Sequence, residues 1–466
     1  MLHTAIKKVS EDVGGRFSFN TAISSIMELV NEMYRYKEGD VNVGFFDKAI
    51  KDLILILSPF TPHICEEMWH DIGQNESVAV MSWPEFDESA LVKDEVEVIV
   101  QINGKLKDKL SVANNLDKAA LEKTAMESDK IMTTKGDRYT VFSLWDTYRN
   151  VHQLLTLVYP ERQMEMVRTM LDMYREHGWL PKWELYGRET LTMEGDPSIP
   201  VIVDTWMKGL RDFDVDLAYE AMYKSATLPG AKNLMRPDND DYMSKGYVPL
   251  REQYDNSVSH ALEYYIADFA LSRFAEALGK KKDAEMFYKR SLGYKHYYSK
   301  EFGTFRPILP DGTFYSPFNP RQGENFEPNP GFHEGSAWNY SFYVPHDVYG
   351  LAKLMGGKNP FIKKLQMVFD EGLYDPANEP DIAYAHLFSY FRGEEWRTQK
   401  ETQRLLDKYF TTKPNGIPGN DDTGTMSAWA IFNMIGFYPD CPGLPEYTLT
   451  TPVFNKVTIR LDPKWY

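Results

Sequence analysis

Two short stretches of this chain hold carboxylates in settings suited to proton transfer. Pro418-Gly419-Asn420-Asp421-Asp422-Thr423-Gly424-Thr425-Met426-Ser427-Ala428-Trp429 places acidic and amide side chains between two glycines, at the start of an apolar helical run. Glycine lets the backbone bend, short polar side chains cap the helix, and a carboxylate is aimed outward. Upstream lies His333-Glu334-Gly335-Ser336-Ala337-Trp338-Asn339-Tyr340. Two carboxylates delivered by separate loops, among many aromatic rings, are the equipment of acid/base chemistry on a sugar. The chain is rich in such rings, at 14% of all residues, with 29 Tyr, 26 Phe and 10 Trp. They serve an aromatic core or a carbohydrate site, where ring faces stack on the C–H faces of sugars.

The bulk properties narrow the field. A chain of 466 residues and 54.0 kDa has room for about two to four domains. Its net charge of −16 argues against non-specific nucleic-acid binding over the whole chain. The densest basic run, Lys280-Lys281-Lys282, reads as a solvated turn between helices. Cys65 and Cys441 cannot make a disulfide framework and read as two buried free thiols. An apolar stretch long enough to span a membrane is absent. Met1 to Lys8 reads as part of a helix rather than a signal peptide, so the chain as written is expected in the cytoplasm.

The elements that position the two carboxylates come in three styles. Residues 1–90 read as an antiparallel helical bundle. Phe19, Ala22, Ile23, Ile26, Val30 and Met33 form one apolar stripe, Asp47 to Leu57 a buried helix, and Pro62 starts another through Trp69. Residues 91–130 read as a small α+β extension. Val96, Val98, Val100 and Ile102 alternate, Asn103-Gly104 signals a hairpin, Lys105 to Val112 is the return strand, and Leu116 to Met126 is a helix. The character changes again near residues 127–137. From 138 to 466 the chain reads as aromatic helices joined by long Pro/Gly loops, among them Val258 to Ala277, Lys282 to Ser299, His346 to Met355 and Thr398 to Tyr409. Helix pairs with functional loops at one end fit an α/α toroid. The fold class is therefore mainly α.

The first part resembles the C-terminal anticodon-binding region of bacterial leucyl-tRNA synthetase. Ser18-Phe19-Asn20-Thr21-Ala22-Ile23-Ser24 and Leu57-Ser58-Pro59-Phe60-Thr61-Pro62-His63-Ile64-Cys65-Glu66-Glu67-Met68-Trp69 match the helical bundle. Ser82-Trp83-Pro84 and Val98 to Lys109 match the leucyl-specific extension. The resemblance implies a tRNA contact through residues 1–130. No synthetase nucleotide-binding motif is present, so aminoacylation is not expected.

The rest, from about Arg138 to Tyr466, resembles glycoside hydrolase family 92, the calcium-dependent exo-acting α-mannosidases common in gut Bacteroidota. The motifs are Arg138 to Arg149 (RYTVFSLWDTYR), the Glu334 segment with Val344-Pro345-His346-Asp347, Asn378-Glu379-Pro380, Trp396-Arg397-Thr398-Gln399, and the Asp422 segment. The resemblance implies an incomplete (α/α)6 toroid and an inverting α-mannosidase, with α-1,2-type linkage favoured. Glu334 falls where the family has its general acid. Asp422 falls at the general base, which activates water on the opposite sugar face, and inversion needs carboxyls roughly 6.5–9.5 Å apart. Asn420 stands where many relatives carry a second Asp and would orient that water. Trp145, Asp146, Arg149, Trp338 and Glu379 are the implied sugar-binding residues. Asn339, Glu379 and Asp422 are the implied Ca2+ ligands, hard oxygen donors as that ion requires. Glu263 and Trp396 read as structural.

The same resemblance implies an N-terminal β-sandwich that contributes to the cleft, and in its place stands the synthetase-like segment. The chain's last residues, Lys464-Trp465-Tyr466, read as a strand. These features imply an impaired enzyme, produced by a join of two unrelated coding fragments near residues 127–137. The alternative is a tRNA-contacting fragment with an inactive attachment. Mannosidase relatives of this type are usually periplasmic or secreted.

Overall fold

A computed structural model of the protein describes residues 1–91, 95–102, 105–126, 137–251, 256–323, 327 and 329–466. The chain divides into two compact units, Met1–Ile131 and Met132–Tyr466. Each has its own packed interior.

The first unit is built from amphipathic helices: α1 (Leu2–Glu11), α2 (Phe19–Lys37), α3 (Val43–Leu57) and α4 (Pro62–Asp71). Asn42 caps α3, its side chain accepting from the Phe45 N–H, and Pro62 opens α4 where no intrahelical donor is needed. The buried face of α2 is Ala22, Ser25, Ile26 and Leu29, while Phe19 and Ile23 are exposed. The apolar stripe is thus turned from the expected one. The small residues at 22 and 25 permit close approach of α1 and α3, and the bulky ring at 19 stays outside. Cys65 and Trp69 are buried under α3 with Ile54 and Val78. Strands β1 (Glu95–Ile102) and β2 (Lys105–Ala113) pair antiparallel with a bulge after Val100, and α5 (Lys118–Met126) follows. The Asn103-Gly104 turn and the expected junction at 127–136 lie outside the described residues.

The second unit is mainly helical. Its helices are α6 (Leu144–Thr147), α7 (Val151–Val158), α8 (Pro160–His177), α9 (Ser198–Met207), α10 (Val215–Thr227), α11 (Asn239–Lys245), α12 (Ser257–Ala277), α13 (Lys281–Ser291), α14 (Ala337–Tyr340), α15 (Val348–Leu354), α16 (Lys358–Asp370), α17 (Glu395–Tyr409) and α18 (Thr425–Ile435). Neighbours pack in sequence, α7 on α8 and α9, α12 on α9, α10 and α13, α15 on α16, α17 on α18, and α18 returns to α7. This is the α/α toroid arrangement. Short strand pairs close its loops, including β3 (Phe142–Ser143), β4 (Trp183–Leu185) and β5 (Arg188–Glu189) in one three-stranded sheet. Helix α12 runs through the interior and is buried on nearly every side.

Two expectations change here. The helix expected to reach Ser299 stops at Ser291 and continues as a 3-10 turn, Leu292–Tyr297. Gly293 lies in that turn, where a Cβ would lie 2.4 Å from the Gly246 carbonyl oxygen and 2.7 Å from the Tyr265 ring, so only glycine lets it pack this closely. The last residues form no strand, and 451–462 is an exposed stretch held to α18 by the Val453 N–H, which donates to the Met434 carbonyl (2.9 Å). No helix among the described residues is long and apolar enough to cross a membrane. Both cysteines are free and buried.

Candidate active site

The site is assembled around Glu263, projected from the middle of α12. Spacing of four along the chain puts Trp145 and Arg149 on one side of α6 and its C-terminal turn. Trp145 Nε1 (3.0 Å) and Arg149 Nη2 (2.9 Å) donate to Glu263 Oε1, and the Tyr148 hydroxyl (2.5 Å) donates to Oε2. The Arg149 guanidinium lies 4.8 to 5.0 Å from the Trp145, Tyr148 and Tyr343 ring centres. Burial raises the Glu263 carboxyl to about 7, against the pull of Arg149. A desolvated acid with this many donors fixes geometry. Its expected structural role is the one its contacts fit. Gly195 has φ +81 and its Cβ would lie 2.5 Å from Glu263 Cβ, so only glycine lets that loop cross here.

Trp145 and Arg149, expected to touch sugar, are buried in this hub. They hold the segment from which Asp146 turns the other way. Asp146 accepts from the Ser143 hydroxyl. Burial above all lifts its carboxyl to about 7; the Ser143 bond and Arg149 oppose the rise, and the charges of Asp422 and Glu334 add to it. Asp146 thus lies within electrostatic reach of both acid/base candidates.

Glu334 sits at φ +51, a left-handed conformation uncommon outside glycine. Bonds from three directions hold that turn. Asn378 Nδ2 donates to the Glu334 carbonyl (2.8 Å), Asn329 Nδ2 to the Gly335 carbonyl (3.1 Å), and the Tyr340 hydroxyl to the His333 carbonyl (2.6 Å). Ser259 of α12 accepts from the His333 N–H (2.9 Å). A backbone fixed this firmly in a strained region delivers its side chain to one place. The Glu334 side chain is 30% exposed. Trp338, four residues on and expected to touch sugar, is buried in the core.

The Asp422 turn has the same character. Asp422 and Thr423 have φ +46 and +57. Asp421, not Asn420 or Asp422, serves helix α18, its Oδ1 accepting from the Ser427 N–H (2.8 Å). That leaves the Asp422 carboxyl for the site. Gly419 at φ +64 brings the turn against Ala377, whose carbonyl oxygen would lie 2.7 Å from an added Cβ. The Asp422 turn therefore packs on the Asn378-Glu379 turn. Glu379 is buried, and burial holds its carboxyl well above the usual range, helped by Asp146 and Asp422. Burial also raises Asp422. Two facing carboxyls that resist double ionisation share a proton or a cation. Asn420 is exposed.

The donor chemistry of this pair fits calcium in part. Glu379 Oε1 is buried without a hydrogen-bond partner, and a hard cation would satisfy it together with Asp422. Asn339 does not fit. Its Oδ1 accepts from the Ser336 N–H and hydroxyl, both 2.8 Å, and its Nδ2 donates to Asp381 (2.8 Å) and to the Leu373 carbonyl (3.2 Å). Those bonds form the capping box of α14 and leave the amide no vacant oxygen direction toward Glu379. Among the described residues no group of three His, Cys, Asp or Glu side chains is arranged to hold a metal.

Sequence reasoning missed three supporting residues. Asn378 anchors Glu334; its place in the Asn-Glu-Pro turn was the available signal. Asp381 is buried and accepts from Asn339 and from the Asp375 N–H (2.9 Å), tying two loops together. Glu194, buried beside His333, follows no pattern in the sequence that marks it. Trp396 is half exposed with Arg397 over its ring at 4.5 Å, away from any role in holding these carboxyls.

Comparison with known proteins bears on both units. Residues 1–123 match the anticodon-binding domain of tRNA ligase. Residues 109–465 match the glycosyl hydrolase family 92 catalytic domain. An uncharacterized secreted glycosidase of Arthroderma benhamiae is 28% identical over 325 residues, 62% of this chain and 41% of its own length. A family GH92 alpha-mannosidase from Bacteroides thetaiotaomicron, solved in complex with mannoimidazole, is 34% identical with a TM-score of 0.65, over 70% of this chain and 45% of that one. A family GH92 inverting mannosidase of the same species is 32% identical with a TM-score of 0.65, over 71% of this chain and 47% of that one. The chain thus spans less than half the length of each of these relatives. Because the matched range takes in most of its residues and the whole of the carboxylate site, the chain belongs to glycosyl hydrolase family 92.

Proposed function

We propose that the second unit carries the chemistry of an exo-acting, inverting α-mannosidase, with α-1,2-linked mannose as the favoured substrate. One observation carries this reading. Among the clustered carboxyls Asp146, Glu334, Glu379 and Asp422, only Glu334 and Asp422 are part-exposed, and both stand on left-handed backbone. Glu334 gives its proton to the glycosidic oxygen as the bond from the anomeric carbon breaks. Asp422 takes a proton from the water whose oxygen attacks that carbon from the opposite face, and the product is β-mannose. Asn420, at the exposed lip, orients the water. Asp146 accepts from sugar hydroxyls, and the Glu263 hub holds it in place. Glu379 and Asp422 would hold calcium, which supplies a Lewis acid for the mannose hydroxyls.

The test is mannose release followed by proton NMR of the first product anomer, with and without EDTA. β-Mannose first, and a loss of roughly 10²- to 10⁴-fold on Glu334→Gln, support the assignment. An α-anomer first, or unchanged turnover by Glu334→Gln, overturns it.

A second reading concerns residues 1–126 and rests on their match to the anticodon-binding domain. It gives weak tRNA binding that falls with added salt. Retention of tRNA unaffected by salt, or none at low salt, would exclude it. The two matches, overlapping only at 109–123, also favour a join of unrelated coding fragments. Reading single DNA molecules across codons 127–137 decides that point, since a genuine join must appear uninterrupted.

A further inference from the structure

Behind Glu334 runs a line of alternating acids and imidazoles. Glu334 Oε1 stands 3.5 Å from His333 Nε2, and His333 Nδ1 stands 3.2 Å from Glu194 Oε1. The other Glu194 oxygen meets His260 Nε2, and His260 Nδ1 lies 2.6 Å from Asp238 Oδ2. Asn256 Nδ2 braces the middle, 2.8 Å from Glu194 Oε1 and 3.0 Å from His333 Nδ1. The line is open at its ends and closed at its centre. The side chains of Glu334 and Asp238 are 30% and 28% exposed, that of Glu194 only 3%.

The fold is shaped to put Glu194 there. Leu191, Met193 and Gly195 all have positive φ, at 58, 64 and 81, which turns the loop inward against Glu263. Trp145 meets the His333 ring edge-on at 5.6 Å, and the Met193 sulfur is 3.2 Å from Nε2. Lys182 is the remaining charged group facing His260.

Counting protons gives this line a function. Each contact between an imidazole nitrogen and a carboxyl oxygen needs one proton between them. His260 makes two such contacts, and a neutral ring supplies one proton. Burial, with Lys182 and His333 adding to it, pushes His260 down to about 3, so the ring is neutral near pH 7. The second proton then resides on Glu194 or Asp238. The line therefore holds a spare proton.

We propose that Glu334–His333–Glu194–His260–Asp238 is a proton-sharing line that restores the proton Glu334 gives up, with His333 as the positioning residue of the acid. This rests on Glu334 being the acid of the proposed reaction. In each turnover Glu334 loses one proton to the leaving oxygen. One proton enters from water at Asp238, each link passes one proton onward, and Glu334 is again a carboxylic acid. No bond between heavy atoms changes.

Two measurements on the full chain test it. The first is the nitrogen NMR shift of the His333 and His260 rings near pH 7, which reports tautomer and charge independently of any substrate. Glu194→Gln should move both rings, and Glu334→Gln should move His260 although the two do not touch. Rings that ignore both substitutions overturn the line whatever the activity. The second compares His333→Gln and His333→Asn on two mannosides. With an alkyl leaving group, kcat should fall at least about 10-fold at unchanged KM, with its pH profile displaced. With a dinitrophenyl leaving group, which departs without a proton, it should fall less than about twofold. Equal losses on both substrates make His333 merely structural and overturn the proposal. A wild-type chain that cleaves neither substrate, with the rings still coupled, removes the mannosidase reading and leaves the line in place.

Discussion

The two units differ in how they bury ion pairs. In the first, a cross-strand pair lies at the surface: Lys109 meets Glu97 across the hairpin at 3.0 Å with both side chains more than half exposed. In the second, Arg149 meets Glu263 at 2.9 Å with side chains 5% and 3% exposed, and Arg236 is closed in between Asp196 and Asp268. Helix α2 turns a small-residue face inward and leaves Phe19 and Ile23 in solvent, while α12 buries Glu263 and Asp268 along with its apolar residues. Surface pairs are screened and replaceable. A buried charge must be partnered, so each fixes the geometry of whatever it touches. The second unit uses that rigidity to hold its carboxyls on strained backbone.

Breaking the buried pair gives the largest stability effect. Arg149→Met strands Glu263 in the interior and should lower the stability of the second unit by about 3–5 kcal/mol, with the first unit unmoved. Denaturant unfolding followed by a probe in each unit measures it. If both units lose equally, charge burial is not what separates them.

A pH titration sharpens the contrast without mutation. Burial raises Asp146 and Glu263 to about 7 and Asp440 to about 6 in the folded second unit. Above the ordinary carboxyl values of 3.8 for Asp and 4.5 for Glu, the unfolded chain releases protons that the folded chain keeps. Stability from these groups is therefore complete below about pH 4 and falls as pH rises toward 7. In the first unit Asp87 is held low by its bonds to Ser89, which gives the opposite sign. The buried imidazoles His152, His346 and His386, pushed down to about 4, and His260, to about 3, act with the opposite sign below about pH 6.5, so the carboxyl effect is read against Asp146→Asn. The thermal midpoint of the wild type should fall relative to that of Asp146→Asn between pH 4.5 and 7, and parallel midpoints would mean that Asp146 ionises normally. Calcium should oppose the fall where Glu379 and Asp422 bind it.

The same contrast explains what could be read from sequence. Amphipathic periodicity located α2, α3 and the β1/β2 alternation, because one face of each meets water. It also located α12, through length and composition, but gave no inward face, since polar residues such as Glu263 and Asp268 are buried there too. The Glu334 and Asp422 turns were legible as Gly-flanked acidic clusters. Their positive φ was not, because the strained residues are the acids and not the glycines. Asn339 could not be separated from a ligand by type alone. Its amide is taken by Ser336 and Asp381, contacts set by the fold. Glu194 was invisible because its partners, His260 and His333, are far away along the chain.

The smallest effect belongs to the exposed pair, and it is the sharpest control. Lys109→Ala removes a cross-strand partner of Glu97 between β1 and β2. Both side chains keep most of their hydration, so the loss should be no more than about 1 kcal/mol at low ionic strength. Near 1 M salt the Debye length shrinks to about 3 Å, comparable to the separation of the pair, and the difference from wild type should vanish. Arg149→Met should keep its full cost at that salt, because no ions reach a pair closed in by Trp145, Tyr148 and Tyr343. A salt-independent Lys109→Ala would mean that the hairpin depends on the aliphatic stem of the lysine, and the comparison would then rest on packing, not on charge.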